Sequence, residues 1–260
     1  MKCQCSSFIH GRKIVKTLLP LYLLLFIGLA VRPTLSTAGE WGLGAAIAYY
    51  QPPHNGVESE SISLPFVSYQ SERLNINLRA FSYRLFKFDE MQISLEGEIR
   101  LEGYDPDGNI ALTGMEKRNP SLDAGVSVAR NDAWGEMIFM ILADMTETHE
   151  GYEARLLYQI PYRLKRLIFI SAVGVGWLDN ALVDYYYGVR LDEVSSTRSY
   201  YAGLSTTNTF VELSIGYDIS DSLEFSAGLK VMHLGKSIEA SPIVDKKYDT
   251  SAISSLQYRF

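Results

Sequence analysis

The sequence predicts an all-β protein, an antiparallel transmembrane β-barrel of about 12 strands with its long loops on the extracellular side. Three observations predict it. Apolar and polar residues alternate with period two in segment after segment of the chain. The first residues carry the pattern of an export signal. The last strand closes on an aromatic residue, Phe260.

The chain starts with the basic residues Lys2, Arg12, Lys13 and Lys16, and no acid precedes Glu40. An apolar run of 14 residues follows, Leu18 to Val31, interrupted by Pro20 and Gly28. Small residues follow at Ser36-Thr37-Ala38. A membrane-crossing helix needs about 20 apolar residues, so this run reads as a cleaved signal peptide. The expected organisation is a signal peptide over 1–38 and a barrel over 39–260. Cys3 and Cys5 fall in the leading segment, which leaves the barrel without thiol chemistry. The whole chain has 24 basic and 30 acidic residues. Removing 1–38 takes away five basic residues and no acid, leaving 19 against 30, a net charge of −11. Such an acidic body argues against nucleic acid and anionic lipid as partners.

The alternation is clearest in three segments. Tyr152, Ala154, Leu156, Tyr158, Ile160 and Tyr162 alternate with Glu153, Arg155 and Gln159. Val211, Leu213, Ile215, Tyr217 and Ile219 alternate with Glu212, Ser214, Gly216 and Asp218. Leu223, Phe225, Ala227, Leu229 and Val231 alternate with Glu224, Ser226, Gly228 and Lys230. A soluble sandwich alternates too. Here the second face is polar or charged, which suits a wet lumen, and tyrosines gather near strand ends as in an interfacial girdle. Strands are expected at 41–50, 62–70, 73–79, 80–87, 91–102, 121–130, 135–145, 151–162, 167–177, 207–219, 222–233 and 251–260. With both ends on the periplasmic side, the long connections 51–61, 103–120, 146–150, 178–206 and 234–250 all face outward. The short turns 71–72, 88–90, 131–134, 163–166 and 220–221 face inward. In the last strand Leu256, Tyr258 and Phe260 alternate with Ser255, Gln257 and Arg259. Tyr258 and Phe260 resemble the terminal signal read by the barrel assembly machinery.

Few residues suggest chemistry. His54, His149 and His233 lie in loops or at a strand end, and none has a serine in a recognisable local arrangement for nucleophilic catalysis. Asp105, Asp107, Asn109 and Glu116 have the spacing of a calcium loop, but its central glycine is replaced by Ile110, so an ordinary turn is expected. Asp132, Asp144, Asp179, Asp184, Asp192 and Glu193 read as a solvated acidic rim. No phosphate loop, paired metal-ligand spacing or nucleotide fingerprint is present, so no cofactor, metal or catalytic residue is assigned.

Two segments carry a family likeness. One is Asp184-Tyr185-Tyr186-Tyr187-Gly188-Val189, followed by Tyr200-Tyr201. The other is Ser241-Pro242-Ile243-Val244-Asp245, followed by Tyr258-Arg259-Phe260. With Trp177-Leu178-Asp179, and more loosely Leu64-Pro65-Phe66-Val67, they resemble the MipA/OmpV family of outer-membrane proteins. The resemblance implies a noncatalytic barrel in the outer membrane of a Gram-negative bacterium, surrounded by outer-membrane lipid. It implies a scaffold between a lytic transglycosylase and a bifunctional penicillin-binding protein. A porin-like channel for small solutes, or a surface adhesin using 178–206 and 234–250, are the alternatives. Asp184, Tyr186, Tyr187, Gly188, Val189, Ser241, Pro242 and Asp245 are then expected either to bind a partner or to fold back and cap the lumen.

Overall fold

The structure is a computed structural model and describes residues 39–260. The expected signal peptide lies outside the described residues. Twelve antiparallel strands close into one barrel, β1 pairing with β12. They are β1 (Glu40–Gln51), β2 (Glu60–Gln70), β3 (Leu74–Ile76), β4 (Ala80–Phe88), β5 (Met91–Arg100) and β6 (Ser121–Asn131). The others are β7 (Glu136–Asp144), β8 (Tyr152–Leu164), β9 (Leu167–Leu178), β10 (Thr206–Asp218), β11 (Leu223–His233) and β12 (Tyr248–Arg259). Closure pairs nearly every strand on both edges, which a sheet in hydrocarbon requires.

The expected strand over 73–79 shrinks to three residues. The Asn77 carboxamide oxygen accepts from the backbone N–H of Arg79 (3.1 Å) and of Ala80 (3.0 Å), which turns the chain early. β12 begins at Tyr248, ahead of the expected 251. The connections sort by side as expected: 52–59, 101–120, 145–151, 179–205 and 234–247 at one end, and 71–73, 89–90, 132–135, 165–166 and 219–222 at the other. In the bacterial arrangement the first set is extracellular.

Period two assigns each side chain to lipid or lumen. Outward residues include Leu43, Ile47, Leu95, Val126, Phe139, Leu156, Val173, Leu213 and Leu229, all exposed. Aromatic residues gather at both borders. Trp41 and Tyr69 meet at 4.7 Å at the turn end, and Tyr152 and Trp177 at 5.5 Å at the loop end. A bulge between Arg84 and Phe86 absorbs one extra residue, which keeps Phe86 and Phe88 facing outward opposite Ile93 and Met91. Tyr258 lies on the outer face opposite Leu43, and Phe260 exchanges backbone hydrogen bonds with Trp41. No helix among the described residues is long and apolar enough to cross a membrane, which says nothing against strands.

The packed interior lies at the loop end. The connection 179–205 forms helix α1 (Asn180–Tyr187), and 234–247 forms the one-turn helix α2 (Lys236–Glu239). Leu178, Leu182, Val183, Tyr186, Tyr187, Leu234 and Ile238 form one buried apolar cluster. Tyr104, Leu112, Met115, Val189 and Ile243 form a second.

Candidate functional site

α1 forms where β9 leaves the wall. Asp179 caps it by accepting from the N–H of Leu182 at 3.0 Å, and the same oxygen accepts from Tyr152 N–H at 3.1 Å. Gly188 ends the helix, its N–H donating to the Asp184 carbonyl at 2.8 Å. A Cβ on Gly188 would lie 2.3 Å from that same oxygen, so only glycine fits. The short helix carries Tyr186 and Tyr187 into the barrel mouth, where both are buried.

The two sequence motifs meet there, around a third segment that sequence reading left aside. His54, fully buried, donates from Nε2 to the Tyr186 carbonyl at 3.1 Å. A carbonyl only accepts, so Nε2 carries the proton. The imidazole stacks on Tyr187 at 5.4 Å and 9°, and lies 4.5 Å from the Tyr104 ring. Burial first, then the positive charges of Arg118 and Lys246, push its pKa down to about 4, against the hydrogen bond to Tyr186. Ser241 Oγ donates to the Tyr187 carbonyl at 2.6 Å. The Pro242 carbonyl accepts from Asn55 Nδ2 at 2.9 Å, and Asp245 N–H donates to the Pro53 carbonyl at 3.1 Å. Asp184 accepts from Gly203 N–H at 2.7 Å, and Val189 exchanges backbone bonds with Tyr201. Tyr186 Oη lies 3.3 Å from Ser121 Oγ and from the Asn119 carbonyl, and burial pushes its pKa up. The motif residues therefore contact one another and the first loop.

A buried ion pair ties the middle loops to α1. Arg118 Nη2 lies 2.8 Å and 2.9 Å from the two Glu193 carboxylate oxygens, and Arg118 Nε donates to the Tyr185 carbonyl at 2.7 Å. Glu193 also accepts from the N–H of Arg190 and of Glu116, each at 2.9 Å. Burial alone would raise the Glu193 pKa, but those N–H groups and Arg118 hold it below the usual range. Arg198 donates to the carbonyls of Glu193, Ala111 and Thr113 at 2.8–3.0 Å.

Below α1 a ladder of charges crosses the lumen. Arg100 Nε reaches Asp123 at 2.7 Å and its Nη2 reaches Glu153 at 2.6 Å, with Glu102 at 3.0 Å. Arg155 joins Glu153 at 2.9 Å to Glu98 at 2.8 Å. A chamber of about 40 Å³ remains among Arg100, Arg155, Leu182, Tyr187, Asn208 and Lys230. One water needs about 10–15 Å³ on that measure, so the chamber holds a few waters and no larger solute. The turn-end lumen, by contrast, is lined by small or half-buried residues such as Gly44, Ser226, Gly228, Ser255 and Gln257.

The candidate ligand sets resolve into hydrogen bonds. Asp123, Asp144 and His149 bring one donor atom each within 4.8 Å of one another. His149 Nδ1 accepts from Gly151 N–H and its Nε2 faces Asp123, so neither nitrogen is free for an ion. Asp144 accepts from the N–H groups of Thr146, His149 and Glu150, which pins the 145–151 turn. These residues do not fit a metal. The calcium-like set disperses as well: Asp105 pairs with Lys117 at 2.8 Å, Asn109 accepts from Ala111 N–H at 2.9 Å, and Glu116 pairs with Arg190. His233 faces Glu239 at 3.4 Å.

Sequence reading missed the ladder and the Arg118–Glu193 pair. The alternation already put Glu153 and Arg155 on the inner face. Their partners Arg100 and Glu98 lie on β5, and no local signal names them.

The profile of the family described as "MltA-interacting protein MipA" matches residues 43–260. The "Putative outer membrane protein YiaT" of Escherichia coli (strain K12) is 26% identical over 230 residues, covering 86% of this chain and 93% of the relative. The "MltA-interacting protein" of Escherichia coli (strain K12) is 21% identical over 245 residues, covering 91% and 98%. Among solved structures, an outer membrane channel from Pseudomonas putida F1 covers 88% of this chain and 100% of its own, at 9% identity and TM-score 0.44.

Proposed function

The chain belongs to the MltA-interacting protein MipA family of outer-membrane barrels, and from that premise we propose that it is a noncatalytic scaffold whose short-turn rim docks murein enzymes. The partners are a lytic transglycosylase and, through it, a bifunctional penicillin-binding protein. One observation carries the reading. The loop end is filled by two buried apolar clusters, and the chamber beneath α1 measures about 40 Å³, which supports a lumen closed toward the loops. A barrel shut on the outside and open on the inside serves contact with periplasmic proteins better than passage of solutes. The family motifs then cap the lumen, since their polar groups are spent on one another and on His54. The Escherichia coli relative named MltA-interacting protein supports the partner class.

The rim offers an anchor in Trp134, 82% exposed on the 132–135 turn. The test is a photoreactive amino acid placed at Ala133, Glu90 or Lys165, and for comparison at the loop-side Ile110 or Leu191, with cross-linking in intact cells. Adducts to murein enzymes from the turn positions only are expected. Adducts from the loop positions only, or to no murein enzyme, refute the scaffold.

A gated channel is the second reading. The ladder of Arg100 and Arg155 against four carboxylates favours it, since such a charged cross-section would select ions once α1 moved aside.

A further inference from the structure

β2 has one edge without a strand. Its register with β3 covers two pairs, Tyr69↔Ile76 and Gln70↔Asn75, whereas its register with β1 runs from Glu40↔Gln70 to Tyr50↔Glu60. The hairpin of β3 and β4 turns back at 77–79, and Glu60–Ser68 rises past it. At about 3.3 Å per residue this is roughly 25 Å of open edge.

The direction of the backbone groups follows from β1. Trp41 exchanges both backbone bonds with Phe260, which directly follows β12, so odd residues of β1 point their N–H and C=O toward β12. Their opposites on β2, at Ser61, Ser63, Pro65 and Val67, therefore point away from β1 into the gap. No backbone partner meets them among the described residues. Pro65 lacks an N–H, and its nitrogen faces the side where none is needed. Pro161 of β8 obeys the same rule, lying beyond Gln159, the last residue paired with β7. The sequence thus encodes the edge, which gives Leu64-Pro65-Phe66-Val67 a role that the cap leaves unassigned.

The side chains beside the gap are graded. Near the loop end are Glu60, Ser61 and Ser63, with exposed Ile62 among them on the face it shares with Leu64. Deeper, both faces are apolar: Pro65 and Val67 toward lipid, Leu64 and Phe66 toward the lumen. Inward residues of other strands, such as Ser94, Ser127 and Ser255, are small and polar. On β1 the lumen face next to Phe66 is Gly42, Gly44, Ala46 and Ala48, a smooth trough on which the Phe66 ring lies.

We propose that this gap is a lateral notch that admits a membrane lipid. Its polar headgroup hydrogen-bonds the free backbone and hydroxyl groups at Ser61 and Ser63, and its acyl chain lies along Leu64 and Phe66 over the β1 trough. The occupant follows from place and chemistry. A membrane-spanning wall is bathed in lipid, unpaired backbone in hydrocarbon is costly, and an amphiphile satisfies both halves of the graded edge. The notch is independent of the scaffold reading.

The test uses the full chain in vesicles of phosphatidylethanolamine and phosphatidylglycerol, doped with phosphatidylethanolamine bearing a diazirine in its acyl chain. Photolysis and peptide mass spectrometry then locate the adducts. Adducts are expected on lumen-facing Leu64, Phe66 and Ala46 as well as on lipid-facing Leu43 and Val67. Leu64→Glu should lower the lumen-side adducts about tenfold, the scale of a carboxylate set against hydrocarbon. Adducts on Leu43 should stay constant and report that the barrel has folded, with Phe66→Ser as the milder variant. Adducts confined to outward-facing residues overturn the notch. So does a second copy linked edge to edge at β2, or a water-soluble thiol reagent reaching Leu64→Cys where the lipid does not.

Discussion

The two ends of the barrel are held together in different ways. At the turn end the bonds that shape each connection are mostly short-range, although Arg166 Nη1 also donates to the Ile219 carbonyl of the neighbouring turn at 3.0 Å. Asp132 accepts from the N–H groups of Trp134 and Gly135 within its own turn, and Ser220 accepts from Leu223 N–H at the turn 219–222. At the loop end the partners are distant in sequence. His54 and Tyr186 are 132 residues apart, Asn55 and Pro242 187 apart, and Arg118 and Glu193 75 apart. A change in a turn should therefore stay local, whereas a change in the loop knot should free several connections at once.

The largest effect is expected from Arg118→Met. It leaves Glu193 buried without its counter-ion, a loss of about 3–5 kcal/mol. The barrel should keep its heat-modifiable migration on gels, while limited proteolysis cuts 101–120 and 179–205 much faster. If cleavage is unchanged, the ion pair does not hold the loops.

Acid should work in the same direction. The folded pKa of His54, about 4, lies below its ordinary 6.5. The loosened loop therefore takes up a proton before the packed one does. The His54 contribution is complete above about pH 6.5 and is lost as pH falls toward 4, reaching about 3 kcal/mol. Hydrogen exchange of 179–205 across that range checks it, and His54→Gln should flatten the profile.

Smaller effects separate the two ends. Ser241→Ala removes one hydrogen bond to the Tyr187 carbonyl and should cost about 1 kcal/mol, visible as faster exchange in α1 alone. Trp134→Ala should change stability by less than about 0.5 kcal/mol, yet weaken cross-linking to murein enzymes. A reversal of this order, with the turn variant opening the loops, would erase the contrast.

The same contrast explains what could be read from the sequence. Strands such as β8, β10 and β11 were legible because lipid on one side and a wet lumen on the other impose period two on every residue. Loop length gave the sidedness. The shortness of β3 was hidden, since Asn75 and Asn77 fit an alternating strand until the Asn77 side chain is seen turning the chain. α1 was overlooked although Asp179 and Gly188 are good cap residues at its two ends. At the loop end the motif residues were picked out, but not their common neighbour His54, because the register that joins 54, 187 and 241 exists only once the barrel has closed.

The most direct test of the closed outer end is single-channel recording of the intact barrel in planar bilayers at neutral pH. No discrete conductance is expected from the native protein, and steps should appear with Arg118→Met or on acidification toward pH 4. Steady, discrete conductance from the native protein at neutral pH would contradict that closure and make the barrel a channel.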